Sequence, residues 1–358
     1  MELQTFNQFL SAAVKNGSSD IHFKSGAAPA VRVNGQLLPV KVPALRPEDT
    51  QRIAEHILTQ HRFKGSLDDL REYDASYALE GVCRFRASIF RNKGNLAAIL
   101  RAIPFHVPSF EQLGLPKVLE TIAQEDRGLI LVTGVTGSGK SSTLAAIVGY
   151  INAHYRKHVL TIEDPIEFLH EDKLARVTQR EIGPDSSSFA SALRAALRQD
   201  PDVILVGEMR DSETIEIALK AAETGHLVLS TVHTTDCMRT IGRIVATFEP
   251  SAQTGVRNRL ADNLRATVSQ RLLPHASGKG RAVACEVMVS TLSLAEYIRD
   301  AAQTGKIKDY LESQSDVLGT QSFDQHLAQL VAAKQITQEV ALEAATSRSD
   351  LERAFNFG

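Results

Sequence analysis

At 358 residues, 43% of them hydrophobic, the chain has length for about two domains and material for two cores. Lys and Arg number 40 against 42 Asp and Glu, a formal net charge of −2, which excludes a global pull on nucleic acid or anionic lipid and leaves only a local basic groove open. Three scattered cysteines, Cys83, Cys237 and Cys285, form no C-x-x-C pair, so free thiols in a reducing compartment are expected and a zinc site is not.

The start, Met1 to Phe6, carries no basic stretch leading into an apolar core, and no run approaches about 18 apolar residues. A cytoplasmic protein is expected, peripheral to a membrane only through a partner. Residues 1 to 103 read as a small α+β domain. Leu3 to Val14 is amphipathic and helical; Ser19 to Phe23, Ala30 to Val33 and Gln36 to Val40 are strand patterns, with Asn34-Gly35 as a hairpin turn. Pro47-Glu48-Asp49 opens a helix to about Gln60, and two longer strands follow, Val82 to Arg91 and Asn95 to Ile103. In the first of these, Arg84-Phe85-Arg86 alternates, placing both guanidinium groups on one sheet face. A solvated polar face and a phosphate-sensing role both remain open for them.

Residues 104 to 115, opening on the proline-bracketed Pro104-Phe105-His106-Val107-Pro108, are expected to link this domain to a second one spanning 116 to 358. There, strand patterns at 128–133, 158–162, 177–182, 203–206 and 226–231 alternate with helix patterns at 141–154, 188–197 and 212–223, which implies an α/β sheet covered on both faces. After Pro250 the chain is expected to be mostly helical, with Val256, Leu260, Leu264 and Val268 as one helix stripe and further helices at 292–302, 323–333 and 337–345.

The chemistry centres on Gly134-Val135-Thr136-Gly137-Ser138-Gly139-Lys140-Ser141, which fits G-x-x-x-x-G-K-[ST] between a strand and a helix pattern. Glycines let backbone N–H groups converge on phosphate oxygens, and the helix start points its dipole at the same anion. Lys140 would reach the β- and γ-phosphates of a nucleotide, with Ser142 beside the cradle, and the Ser141 hydroxyl would ligate Mg²⁺.

Hydrolysis also needs groups that position water and metal, and three strand ends offer them. Glu163-Asp164-Pro165-Ile166-Glu167 follows an apolar strand; Glu163 is the preferred general base, against a plain charged loop. Asp202 to Glu208 ends in Gly207-Glu208, so that Glu208 must supply the metal carboxylate where P-loop enzymes place Asp at the preceding position. The strand from His226 to His233 has histidines too far apart to share an ion; His233 is either a structural hydrogen-bonding residue or a γ-phosphate contact.

Taken in order, Gly134 to Ser141, Thr161 to Glu167, Val206 to Asp211 and Thr224 to His233 resemble the Walker A, Asp box, Walker B and His box of the secretion ATPase superfamily. Ser19-Asp20-Ile21-His22, Arg84-Phe85-Arg86, Phe110 to Pro116 and Ser322-Phe323-Asp324-Gln325 extend the likeness to the PilT/PilU family of type IV pilus retraction ATPases. The resemblance implies a homohexamer of subunits, each a PAS-like N-terminal domain and a RecA-like P-loop ATPase domain, with ATP held between the two. It implies that Arg84 and Arg86 contact phosphate, that Glu163 is catalytic, that Glu208 is the Walker B acid, and that His226 and His233 form the His box. An inner-membrane platform protein at the pilus base is the implied partner, with a paralogous retraction ATPase as a further one. One segment departs: the family's Ala-Ile-Arg-Asn-Leu is matched by Ser293-Leu294-Ala295-Glu296-Tyr297, which keeps an accessory PilU-like motor in view.

Assembly and export motors are the next alternative. They carry a longer N-terminal region and a four-cysteine zinc motif that this sequence lacks, so retraction is favoured. A nucleic-acid translocase is the reading from another class; its support would be Arg257, Arg259 and Arg265 on one helix, which Asp262 interrupts, and no nucleic-acid partner is expected.

Overall fold

The structure, a computed structural model, describes every residue except 34, 61, 62, 64, 104–106, 315–317 and 358. The Asn34 half of the expected hairpin turn and the opening of the expected linker lie outside the described residues. By contacts the chain divides into two compact units, Met1–His106 with Pro165–Leu169, and Val107–Asp164 with His170–Gly358.

In the smaller unit, α1 (Leu3–Lys15) and α2 (Pro47–Gln60) accompany an antiparallel sheet of β1 (Ser18–Lys24), β2 (Ala30–Val33), β3 (Gln36–Pro39), β4 (Glu72–Leu79), β5 (Cys83–Asn92) and β6 (Asn95–Ile103), in the order β3-β2-β1-β6-β5-β4. Alternation decides which face is covered. Phe85, Ala87 and Ile89 of β5 join Ile21, Phe23 and Leu100 in the core with Phe6, Leu10, Ile53 and Ile57 from the helices, while Arg84 and Arg86 take the other face. Strand β4 lies outside the elements expected from the sequence, although Tyr73, Ala75, Tyr77 and Leu79 alternate with Glu72, Asp74 and Ser76 and turn to the core.

The larger unit begins with two short helices, α3 (Phe110–Leu113) and α4 (Val118–Ile122). Its sheet contains β7 (Gly128–Thr133), β8 (His158–Glu163), β9 (Arg176–Glu181), β10 (Val203–Val206), β11 (Leu227–Val232), β12 (Leu264–Pro274) and β13 (Arg281–Val289). The order is β13-β12-β7-β11-β10-β8-β9, and all pairs are parallel except β12 with β13. Around it lie α5 (Lys140–His154), α6 (Phe189–Ala196), α7 (Ser212–Glu223), α8 (Cys237–Ala246) and α9 (Pro250–Asn263). Successive β7 residues enter opposite cores: Leu129 and Leu131 pack in one cluster, Ile130 and Val132 in the other. A strand covered on both faces reads as an unbroken apolar run.

The same double cover corrects the expectation of a mostly helical tail. The helix ends at Asn263, and Leu264 and Val268 belong to β12, whose paired strand β13 follows a turn at Gly278 and Gly280. Apolar residues four apart fit a helix and the same face of a strand alike, and periodicity alone does not separate them. Beyond the hairpin come α10 (Leu292–Arg299, ending short of the expected Ala302), α11 (Ile307–Ser313), α12 (Phe323–Ala332), α13 (Gln338–Ala344) and α14 (Arg348–Phe357). Phe323, Leu327 and Leu330 pack with Leu273 and Ala284 of the hairpin. Among the described residues, no helix is long and apolar enough to cross a membrane.

Candidate nucleotide-binding and hydrolysis site

Parallel pairing gathers the chemistry at one edge of the larger sheet. Thr133 of β7 is in register with Val232 of β11, and Ser230 of β11 with Val206 of β10, which in turn pairs Ile162 of β8. The residues that follow each strand therefore stand side by side: the glycine loop after β7, His233 after β11, Gly207 and Glu208 after β10, and Glu163 at the end of β8. Ligands of open parallel sheets bind at such carboxyl ends.

The loop is built by necessity from glycine. Gly134 has φ +147°, and a Cβ there would lie 2.3 Å from Ser138 Oγ and 2.7 Å from the Gln270 carbonyl oxygen. Gly139 caps α5 in the left-handed region at φ +92°. Lys140 is buried and turns back, donating Nζ to the carbonyls of Gly134 at 2.8 Å and Val135 at 3.1 Å. Thr136 and Gly137 are exposed at the loop's tip, Ser138 is buried, and Ser141 and Ser142 are half-buried on the first turn of α5. From β12, Gln270 donates Nε2 to Thr143 Oγ1 at 2.8 Å, and Ser269 accepts from Thr133 Oγ1 at 3.0 Å, so the misread strand flanks the cradle.

Glu208 is half-buried: its Oε1 is 2.7 Å from Arg210 Nη2 and its Oε2 is 3.6 Å from His233 Nε2. Gly207 has a packing reason. A Cβ there would lie 3.3 Å from the Ile162 carbonyl oxygen and 3.5 Å from Glu163 Cα, and its N–H already donates to Ile162 at 2.8 Å. Glu163 Oε1 accepts from Thr161 Oγ1 at 2.7 Å and from Gln179 Nε2 at 3.2 Å. Asp211, in the same acidic stretch as Glu208, caps α7 by accepting from Thr214 N at 2.8 Å.

His226 is not brought to this edge. It precedes β11 at the opposite end, its Nδ1 3.0 Å from the Ala221 carbonyl oxygen, and the strand separates it from His233 by roughly 20 Å at about 3.3 Å per residue. The phosphate loop of the same chain is therefore out of its reach, which corrects its grouping with the cradle.

A family model described as Type II/IV secretion system protein matches residues 2–354. The chain belongs to that family. It is 41% identical over 346 residues to the type IV pilus retractation ATPase PilT of Pseudomonas aeruginosa, covering 94% of this chain and 97% of that one. To the type IV pilus ATPase PilU of the same organism it is 37% identical over 355 residues, 99% of this chain and 92% of that one. The crystal structure of the pilus retraction motor PilT with bound ADP matches at a TM-score of 0.87 and 44% identity, over 97% of this chain and 98% of that chain. The ATPase DotB of Legionella pneumophila matches at 0.77 and 26%, over 95% of each. The architecture is thus α/β, a RecA-like P-loop ATPase domain preceded by a smaller α+β PAS-like domain.

In the smaller unit, Arg84 and Arg86 stand on the face opposite its core. Arg84 donates Nη2 to Ser76 Oγ at 2.9 Å, and Arg86 lies 3.8 Å from Asp74. Arg101, which the sequence reading missed, is directly opposite Arg86 in the β5/β6 register and pairs Asp20 at 2.9 Å. The signal was present: Lys93 and Gly94, both at positive φ, make a two-residue turn that fixes Asn92 against Asn95, and counting back reaches Arg86 and Arg101. Gln179 and Gln270 carry no motif and emerge only from the sheet pairing.

The departing segment Ser293–Tyr297 lies on α10, with Leu294 and Ala295 buried and Glu296 bonded to Arg299 at 2.7 Å. The Ser322 to Gln325 stretch is a capping box, and Phe323 beneath it carries the Arg271 guanidinium 3.9 Å over its ring. The three arginines weighed for nucleic acid each have a protein partner. Arg257 donates to the Ile298 carbonyl at 2.8 Å, Arg259 pairs Glu216 at 2.6 Å and Glu223 at 2.5 Å, and Arg265, on β12 rather than a helix, donates to the Arg127 carbonyl at 3.3 Å.

Proposed function

We propose that this chain is a motor ATPase that couples ATP hydrolysis to retraction of a type IV pilus, and so to twitching motility. The observation that carries this is the convergence of the phosphate loop, Glu163, Glu208 and His233 on one sheet edge, in a chain similar over nearly its whole length to PilT. Lys140 holds its own loop's carbonyls; an entering phosphate, with full negative charge, competes for that ammonium and opens the loop to the nucleotide. Gly134, Thr136, Gly137, Ser138, Gly139, Ser141 and Ser142 surround the phosphates. Glu163 takes the proton of the attacking water, His233 senses the γ-phosphate, and Arg84, Arg86 and Arg101 supply further phosphate contacts.

Mg²⁺ fits the donors present. Ser141 and Glu208 offer only hard oxygens, as suits an ion held largely by phosphate and water. When bound, it would neutralise phosphate charge between Ser141 and Glu208. The motor works as a homohexamer, from the cytoplasmic side, on an inner-membrane platform protein at the pilus base. The Ser293–Tyr297 departure and the end-to-end similarity to PilU favour one second reading, an accessory motor that works beside a paralogous retraction ATPase.

Steady-state hydrolysis by the purified chain tests the chemistry. Lys140→Ala is expected to lose nucleotide binding and turnover together, and Glu163→Gln to keep ATP bound while turnover falls by roughly a hundredfold or more. Deletion of the gene tests the biology: excess immobile pili support retraction, bald cells support assembly, and intact twitching that depends on a second retraction ATPase supports the accessory role.

A further inference from the structure

Glu163 ends β8 with its side chain held from two directions at one oxygen. Thr161 is two residues back, hence on the same strand face, and donates Oγ1 to Oε1 at 2.7 Å. Gln179 belongs to the neighbouring β9, in register with Thr161, and donates Nε2 to that same Oε1 at 3.2 Å.

The orientation of the Gln179 amide is dictated by the backbone. Its Oε1 accepts the N–H of His170 at 2.9 Å. A backbone N–H can only donate, so the amide oxygen must face it and the amide nitrogen must face Glu163. One side chain thus ties the carboxylate to the point where the chain returns from the acidic segment 163–167. This matters because the last torsion of a glutamate side chain is broad and roughly two-fold, so an untethered carboxylate samples many orientations. Proton abstraction tolerates few of them, and small misplacements of a reacting group cost rate steeply.

We propose that Gln179 is a positioning residue for hydrolysis, fixing the rotation of the Glu163 carboxylate through Nε2 while anchoring itself on the His170 N–H through Oε1. The proposal rests on Glu163 being the general base. Gln179 need not touch nucleotide; its effect passes through Glu163. The effect should therefore fall on kcat, not on nucleotide affinity, and should vanish when the base is gone.

The test is steady-state ATPase kinetics on the full assembled chain, with ADP affinity and thermal melting measured alongside. Gln179→Glu keeps an oxygen for His170 but turns an acceptor toward Glu163, and Gln179→Met keeps the length with neither function. Each is expected to lower kcat by about tenfold to a hundredfold, with the KM for ATP and the affinity for ADP within about twofold of the unchanged chain. If the added charge of Gln179→Glu unfolds the domain, the melt reveals it and Gln179→Met carries the comparison. In a Glu163→Gln background, Gln179→Met is expected to cause no further loss. A kcat within about twofold of the unchanged chain, a change confined to KM, or an equal loss on both backgrounds would overturn the role of Gln179 while leaving Glu163 as the base. Normal turnover in Glu163→Gln alone would overturn the base assignment itself, and the role of Gln179 with it.

Discussion

A histidine shielded from water makes stability depend on pH, and among the described residues of the larger unit the buried His326 and the half-buried His170 are such groups. Burial holds the pKa of His326 at about 4, down from 6.5, and its Nδ1 accepts the Cys285 N–H at 2.8 Å, so the ring is neutral with its proton on Nε2. His170 is also lowered to about 4, by burial first and then by Lys173. A base depressed in the folded state is protonated first in the unfolded chain. Between pH 6.5 and 4 the unfolded state therefore binds more protons, and stability, full above 6.5, falls as the pH falls through that window. Each imidazole contributes at most about 3 kcal/mol by this route. The melting temperature of the unchanged chain is expected to drop between pH 6.5 and 4.5, and His326→Gln, whose amide oxygen can accept the same N–H, to show a shallower drop. Equal slopes would assign the acid sensitivity elsewhere.

At the scale of elements, α8 depends on a neighbour distant in sequence. Asp236 caps it by accepting from Arg239 N at 2.8 Å, while Glu286 of β13, buried and with its pKa raised mainly by that burial, accepts the Cys237 N–H at 2.7 Å. Glu286→Leu orphans a buried donor at the helix start and is expected to cost about 1–3 kcal/mol, whereas Glu286→Gln retains an acceptor and costs far less. Chemical denaturation of the three chains checks this; equal losses would mean that charge, not the hydrogen bond, holds the helix. No periodicity announces such a tie, and the same limit governed what could be read beforehand. The phosphate loop was legible because G-x-x-x-x-G-K-[ST] is local and its flanking strand is continuously apolar. Leu264 and Val268 were misassigned because a strand with two covered faces imitates a buried helix. Contacts between strands, Glu208 with His233 or Gln179 with Glu163, follow from sheet order, which the sequence states only indirectly.

For the whole molecule, the question is whether the smaller unit takes part in the chemistry or only accompanies it. Its sheet places Arg84, Arg86 and Arg101 on the face opposite the core, and Arg86, 41% exposed, lies 3.8 Å from Asp74. A half-exposed pair at that distance adds little to stability, about 0–1 kcal/mol. Phe85, wholly buried beside it, carries the packing of that stretch of β5. Loss of the Arg86 guanidinium should therefore leave the fold intact. Phosphoryl transfer, in contrast, depends heavily on cations around the γ-phosphate, and removing one arginine contact of this kind slows turnover by orders of magnitude in other nucleotide hydrolases. Arg86→Ala is accordingly expected to melt within about 2 °C of the unchanged chain while its turnover falls by about tenfold or more. Arg86→Lys, a point charge without the planar fork, is expected to recover part of that loss. A large fall in melting temperature with hydrolysis per folded chain unchanged would make Arg86 a residue of the fold and leave catalysis to the larger unit alone.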